Sequence, residues 1–203
     1  MKTILSFIAI FLITGFSSIA ATESTTQNLK DAFKGESTAS AKYAAYAEQA
    51  RKEGFTQIAT MFDATSKAEA IHAANHKLAL EKMGGKTDVI KPEFTVKSTK
   101  ENLEDAIKGE TFEATSMYPG YLSTSKSEKA LGATKSFSWA MDTEKKHLVM
   151  YNNALNALNA SKVKSLPSVY WVCPKCGNTY DRTPEKACSF CSTPKAKFQQ
   201  FGK

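Results

Sequence analysis

Apolar residues recur every three or four positions through most of this chain, and acidic residues stand on the same stripes, where a core should be dry. Residues 24–54 form the first such stretch, rich in Ala, Lys, Glu and Gln, with Gly54 as its stop. A second runs from Thr56 to Met83 and ends at Gly84-Gly85. Lys86 to Thr99 carries Pro92 and several β-branched residues and reads as a long crossover between two helix pairs. A third helix begins near Thr99, and a fourth spans about Ser127 to Ala160. Pro119-Gly120 falls inside the third, where it should kink the helix or open its hydrogen-bond ladder.

The pattern is a duplication. Leu29-Lys-Asp-Ala-Phe-Lys-Gly-Glu36 returns as Leu103-Glu-Asp-Ala-Ile-Lys-Gly-Glu110, an offset of 74 residues, and Glu69-x-x-His72 returns as Glu144-x-x-His147, an offset of 75. Helical spacing puts Glu36 on one face with Phe33, Ala39, Ser40 and Tyr43, and Glu69 with Phe62, Thr65, Ala73 and His76. Glu110 and Glu113 share a face with Leu103, Ala106, Ala114 and Met117; Glu144 and His147 share one with Phe137, Met141, Leu148 and Tyr151. Five carboxylates and two imidazoles therefore point into a core. A single such Glu would read as a solvated surface charge. Seven residues at matched spacing in two copies do not, because unpaired buried carboxylates cost several kcal/mol each or take up protons.

A Glu from each of two helices plus a Glu-x-x-His from each of the other two is the ligand set of a carboxylate-bridged di-metal site in a four-helix bundle. Carboxylate and imidazole without thiolate suit iron or manganese; zinc would bind but brings no redox chemistry. The copies differ in one respect. Ala39 follows Glu36 by three residues, whereas Glu113 follows Glu110, so the second half holds a spare carboxylate through which one metal could exchange a ligand. His76, one turn beyond His72, reads as a residue behind the ligands or at the bundle end. Met61, Met117 and Met141 read as core, and Asn152, Asn153 and Asn156 as polar positions on the last turns.

The helical pattern stops near Ala160, and residues 162–168, with Pro167, form a short linker. Cys173-Pro-Lys-Cys176-Gly177 and Cys188-Ser-Phe-Cys191 follow, with 11 residues between the pairs. Two such knuckles are a strong tetrathiolate signal, although disulfides remain open for an exported chain with four cysteines. Spacing alone does not separate iron from zinc. Tyr170, Trp171, Tyr180, Phe190 and Phe198 are placed to form an aromatic cluster around the cysteines.

Charge changes the picture little. The formal net charge is +7, with no basic stripe carrying interleaved aromatics, so nucleic acid is not an expected partner. The N-terminus changes it more. Met1-Lys2, the apolar run Ile4–Phe16 and the small residues Ser18-Ile19-Ala20 read as a cleaved signal peptide over residues 1–20. The run is short for a membrane span, which needs about 20 residues. No Cys follows it and no twin Arg precedes it. Export in an unfolded state is expected, to the periplasm or otherwise outside the cytoplasm, with metal loading there and no membrane attachment after cleavage.

These motifs together resemble the rubrerythrin family: Gly35-Glu36, Glu69-x-x-His72, Gly109-Glu110-x-x-Glu113 followed by Met117-Tyr118-Pro119, Glu144-x-x-His147, and the four cysteines. The resemblance covers nearly all of the chain beyond the signal segment. It implies a mainly α fold, a ferritin-like four-helix bundle over residues 22–161 and a rubredoxin-like tetracysteine domain over 169–203. It implies two irons held by Glu36, Glu69, Glu110, Glu113, Glu144 and His147, with His72 replacing Glu113 on one iron in the reduced state. Cys173, Cys176, Cys188 and Cys191 would hold a third iron, and Tyr43 and Tyr118 would lie beside the di-iron site. The implied activity is reduction of hydrogen peroxide to water, fed through the thiolate iron by an electron-donor protein. The implied assembly is a homodimer in which one subunit's rubredoxin unit lies near the other's di-iron site. The second knuckle departs from the family pattern by lacking Pro and Gly, and the signal segment departs from its usual location. The rival reading is a ferritin-like protein that oxidises and sequesters iron, with a structural zinc ribbon.

Overall fold

The computed structural model describes residues 24–203, so the expected signal peptide over residues 1–20 lies outside the described residues. Helix α1 is Thr25–Lys52, α2 is Thr56–Lys82, α3 is Thr99–Phe112, α4 is Tyr118–Ser127 and α5 is Leu131–Asn159. A π-helical turn, Glu113–Met117, joins α3 to α4, so that α1, α2, the α3–α4 rod and α5 make a four-helix bundle. Caps fix the entries. The Ser24 side chain accepts from the Gln27 N–H, and Ser98 forms a capping box with Glu101. Gly54 and Gly84 take positive φ (84° and 79°) after α1 and α2, as their places in the sequence require.

Proline explains part of the π turn. Pro119 has no N–H, and its ring would crowd the carbonyl of Thr115, so the ladder opens into the wider turn rather than continuing as α-helix. The duplication explains the rest. Glu110 follows Glu36 by 74 residues, whereas Tyr118 follows Tyr43 by 75. One extra residue lies between Glu110 and Tyr118, and the π turn at 113–117 is where a helix absorbs a single insertion. Both copies then put a tyrosine about two turns beyond the glutamate, on the same face.

The last bundle helix begins at Leu131 rather than near Ser127. The turn Glu128–Ala130 is set by Lys129 at φ 56°, a left-handed position occupied without glycine, so the sequence carries no stop signal there. Phe62, Tyr43, Tyr46 and Tyr151 stack at one end of the bundle, with centroids from Phe62 of 5.9, 5.6 and 5.3 Å respectively. Met61 is buried, and Met117 and Met141 are partly buried against the second core cluster. Asn152, Asn153 and Asn156 are exposed.

The C-terminal unit is a three-stranded antiparallel sheet, with β1 (Val169–Val172) between β2 (Thr179–Tyr180) and β3 (Gln199–Gly202). It packs on its own bundle. Tyr170, Val172 and Phe201 join the core of the aromatic end, and Val163 and Leu166 of the linker pack there too. Tyr170 thus turns away from the cysteines, and Trp139 of α5 takes a place beside Phe190 and Phe198 against them. No described helix is long and apolar enough to cross a membrane.

Phe62 is fully buried, so Phe62→Ala should lower unfolding free energy by about 3–5 kcal/mol. Urea denaturation of the metal-loaded protein measures this; a loss below about 1 kcal/mol would mean that the aromatic end is not the close-packed core described.

Candidate metal centres

Glu36 from α1, Glu69 and His72 from α2, Glu110 from α3, and Glu144 and His147 from α5 meet in one chamber, each at most 1% exposed. Their ligand atoms form two groups, Glu36, Glu69, His72 and Glu144, and Glu69, Glu110, Glu144 and His147, each within 4.8 Å. Glu69 and Glu144 belong to both, as bridging carboxylates would. His72 Nδ1 lies 2.9 Å from Glu69 Oε2 and 2.9 Å from Glu144 Oε1. His147 Nδ1 lies 3.0 Å from Glu69 Oε1 and 2.9 Å from Glu144 Oε2. Each bridging carboxylate presents one oxygen to each imidazole.

All six of these atoms are buried without a hydrogen-bond partner. They are close but do not point hydrogen to lone pair. A spacing of about 3 Å is the edge between adjacent ligands that share a metal at bond lengths near 2.1 Å. Unsatisfied buried polar atoms each cost about 1–3 kcal/mol, more when charged. The donor set and its orphaned atoms fit two cations.

A second ring of side chains holds the first. Tyr43 donates to Glu110 Oε1 at 2.8 Å, and Tyr118 donates to Glu36 Oε1, the same contact in the two copies of the duplication. Tyr118 Oη lies 3.0 Å from His76 Nε2, and His76 Nδ1 lies 2.8 Å from Ser136 Oγ. Because Tyr118 gives its proton to Glu36, it accepts from His76 Nε2–H, and Ser136 must then donate to Nδ1. Ser136 lines a surface cavity of about 280 Å³. His147 Nε2 lies 2.9 Å from Thr179 Oγ1, whose proton goes to the Gly177 carbonyl at 3.0 Å. Thr179 can therefore only accept from His147, which leaves the Nδ1 lone pair facing the carboxylates.

Electrostatics match the geometry. Burial, followed by the charges of neighbouring glutamates, raises Glu36, Glu110 and Glu144 well above the usual carboxylate range. Burial also acts on Glu69, but His147 and His72 outweigh it and bring Glu69 to about 2. Burial lowers His76 to about 3, so it is neutral. Glu113 stands apart. It is half-buried, belongs to neither ligand group and lines a surface cavity of about 330 Å³ with Lys42, Tyr43 and Gly109. Burial and Glu69 raise it to about 8.

The four cysteines gather with Cys173, Cys176 and Cys188 at most 3% exposed. Cys173–Cys191 and Cys176–Cys188 sulfurs are 3.4 Å apart, far beyond the ~2.05 Å of a disulfide and near the ~3.8 Å edge of a tetrathiolate site. Both knuckles close the same turn: Gly177 N–H donates to the Cys173 carbonyl (3.0 Å) and Ser192 N–H to the Cys188 carbonyl (2.9 Å). Gly177 has φ 80° and Ser192 φ 59°, so a serine takes the left-handed position that glycine holds in the first knuckle. The missing glycine changes the residue and leaves the turn intact.

The two sites adjoin within one chain. A Cβ on Gly177 would lie 2.3 Å from His72 Nε2, so only glycine admits this approach. Asn75 Nδ2 donates to the Lys175 carbonyl at 2.9 Å. The juxtaposition that the resemblance assigns to two subunits is met here in cis. Sequence reasoning missed Thr179, Ser136, Trp139 and Lys146; their helical or knuckle positions carry no metal-ligand spacing, and Ser136 shows itself only through His76 across the bundle, the other three only through the docked C-terminal unit.

A four-helix bundle with a carboxylate-bridged di-metal chamber and an appended tetracysteine domain defines a class of non-haem metalloprotein. Comparison narrows it. The Rubrerythrin family model matches residues 27–155. Rubrerythrin-2 of Clostridium acetobutylicum is 34% identical over 175 residues, 85% of this chain and 94% of that protein. Nigerythrin of Nitratidesulfovibrio vulgaris is 33% identical over 195 residues, 93% of this chain and 94% of that one. The solved structure described as the fully reduced, all-ferrous state of nigerythrin superimposes with TM-score 0.79 at 30% identity, covering 98% of this chain and all of that one. The chain belongs to the rubrerythrin family.

Metal removal should show in the pH dependence of stability. Raised carboxyls hold protons that the unfolded chain releases, so the metal-free fold weakens as pH rises through their folded values. His76 and His147, both lowered, act in the opposite sense only below their ordinary 6.5, which leaves a window from 6.5 to about 8 for Glu113 and its neighbours. With the bundle metals removed, urea stability should fall across that window, and less steeply in Glu113→Gln. A stability that rises there contradicts the assignment.

Proposed function

We propose that the protein is a peroxidase that reduces hydrogen peroxide to water, with Glu36, Glu69, His72, Glu110, Glu144 and His147 ligating a di-iron site and the four cysteines a third iron. The observation that carries this reading is the docking of the tetracysteine turn on the imidazoles of both ligand groups, through Gly177 at His72 and Thr179 at His147. Storage of iron needs no such contact. When bound, iron supplies two adjacent one-electron donors in the bundle and a one-electron carrier beside them.

The protein's own groups do the rest. Tyr43 and Tyr118 hold Glu110 and Glu36 in place, and Thr179 holds the His147 tautomer. His72 and Glu113 are alternative ligands: here His72 stands in the ligand group and Glu113 waits at the wall of its cavity. That is the arrangement the family resemblance assigns to the reduced state. Reduction of one peroxide to two waters consumes two electrons and two protons. Ser136, His76 and Tyr118 form a hydrogen-bonded line from the 280 Å³ cavity to Glu36, along which protons can reach the chamber without opening it. A homodimer, an external electron-donor protein and export by the segment Met1–Ala20 complete the reading; an exported form must draw on a donor outside the cytoplasm.

Metal analysis should find about three irons per chain with a red ferric–thiolate chromophore. The reduced protein should be reoxidised by peroxide much faster than by dioxygen, and Cys173→Ser should abolish turnover with an external donor while leaving one reoxidation intact. Equal rates with both oxidants, or a colourless protein with one zinc per chain, would favour iron sequestration with a zinc ribbon. Glu113→Ala should bind two ferrous ions yet turn over slowly, and His72→Ala should weaken ferrous binding instead. Identical ligands in oxidised and reduced crystals would rule out the exchange.

A further inference from the structure

Lys146 sits between two ligands in sequence, Glu144 and His147, but its side chain leaves the bundle and enters the tetracysteine unit. Its ammonium lies 2.5 Å from Asn178 Oδ1, 3.9 Å from the Tyr180 ring centroid and 5.6 Å from that of Phe190. Asn178 is fully buried. Lysine only donates, so the amide must turn its oxygen to Lys146 and its NH₂ the other way. There Nδ2 meets Tyr180 Oη (2.9 Å), Ser189 Oγ (3.1 Å) and the Cys188 sulfur (3.7 Å).

We propose that Lys146, a residue of the bundle, raises the reduction potential of the docked thiolate iron by acting through Asn178. A cation on the amide oxygen polarises the group and makes its N–H a stronger donor. The reduced tetrathiolate site carries one more negative charge than the oxidised site, so an N–H···S contact strengthened by the ammonium behind it favours the reduced form. One electron is gained in that step, and no bond is made or broken. The lysine belongs to the helix that also bears Glu144 and His147, so the potential depends on the unit being seated on its bundle. Lys146 and Asn178 are positioning residues; the sulfurs alone touch the metal. The inference rests on the reading of iron at the cysteines.

The test is spectroelectrochemical titration of the ferric–thiolate band in the full-length, iron-loaded protein. Lys146→Met should shift the potential downward, Lys146→Arg should keep most of it, and Asn178→Ala should lower it. Lys146→Met with Asn178→Ala should shift it no further than the larger single change, since the two act in series. Asn75→Ala removes a different contact across the same interface and should leave the potential where it is. A red Lys146→Met protein with an unmoved potential, additive shifts in the double variant, or an equal fall in Asn75→Ala would each overturn the proposal. A colourless wild-type protein would overturn the iron reading, and this proposal with it.

Discussion

Carboxylate charge in a dry core is the constraint around which this molecule is arranged. Glu36, Glu69, Glu110 and Glu144 converge with two imidazoles in a space closed to water, and the oxygens that face one another have no hydrogen-bond partner. Left alone, such a chamber either takes up protons or forces the helices apart. Cations remove the conflict, and the layout anticipates them: two shared carboxylates, one imidazole on each side, and a tyrosine hydroxyl on each terminal glutamate. The helices supply rigid positions for these groups, and the aromatic stack of Phe62, Tyr43, Tyr46 and Tyr151 anchors the bundle beside them.

The duplication gives this site its symmetry, and one inserted residue breaks it. The π turn at 113–117 keeps Glu110 and Tyr118 in the register of Glu36 and Tyr43 while carrying Glu113, the carboxylate with no counterpart in the first half. Glu113 is half-buried beside a cavity, whereas every other acid of the chamber is sealed. The place where the repeat is imperfect is therefore also where the chamber meets the surface. The proposed ligand exchange would require just such a second position for Glu113, close to the first.

Much of this was legible in the chain. The ligands repeat at helical spacing, and the cysteine knuckles have a spacing with few other uses, so the bundle, the metal chamber and the appended unit could all be read from periodicity. What could not be read depends on how the two units meet. Thr179 follows a knuckle and looks like an ordinary strand residue, yet it fixes the tautomer of His147. Trp139 and Lys146 lie on the outer side of α5, where a sequence reading assigns solvent, and both are covered by the docked sheet. Lys129 ends a helix in a left-handed conformation with no glycine to signal it, which is why α5 starts four residues later than the pattern suggested.

The cis contact joins the two sites through backbone at Gly177 and a hydroxyl at Thr179, so the tetracysteine site and the chamber form one unit within a single chain. The orphaned atoms of the chamber are the proposed iron ligands. Anomalous diffraction on either side of the iron edge, from crystals grown and reduced without oxygen, tests this most directly. The account predicts two iron peaks in the bundle, one bound by His72 Nδ1 and the other by His147 Nδ1, with Glu69 and Glu144 bridging them. A chamber that scatters as zinc, or one that holds no metal while its glutamates stay in place, would contradict it.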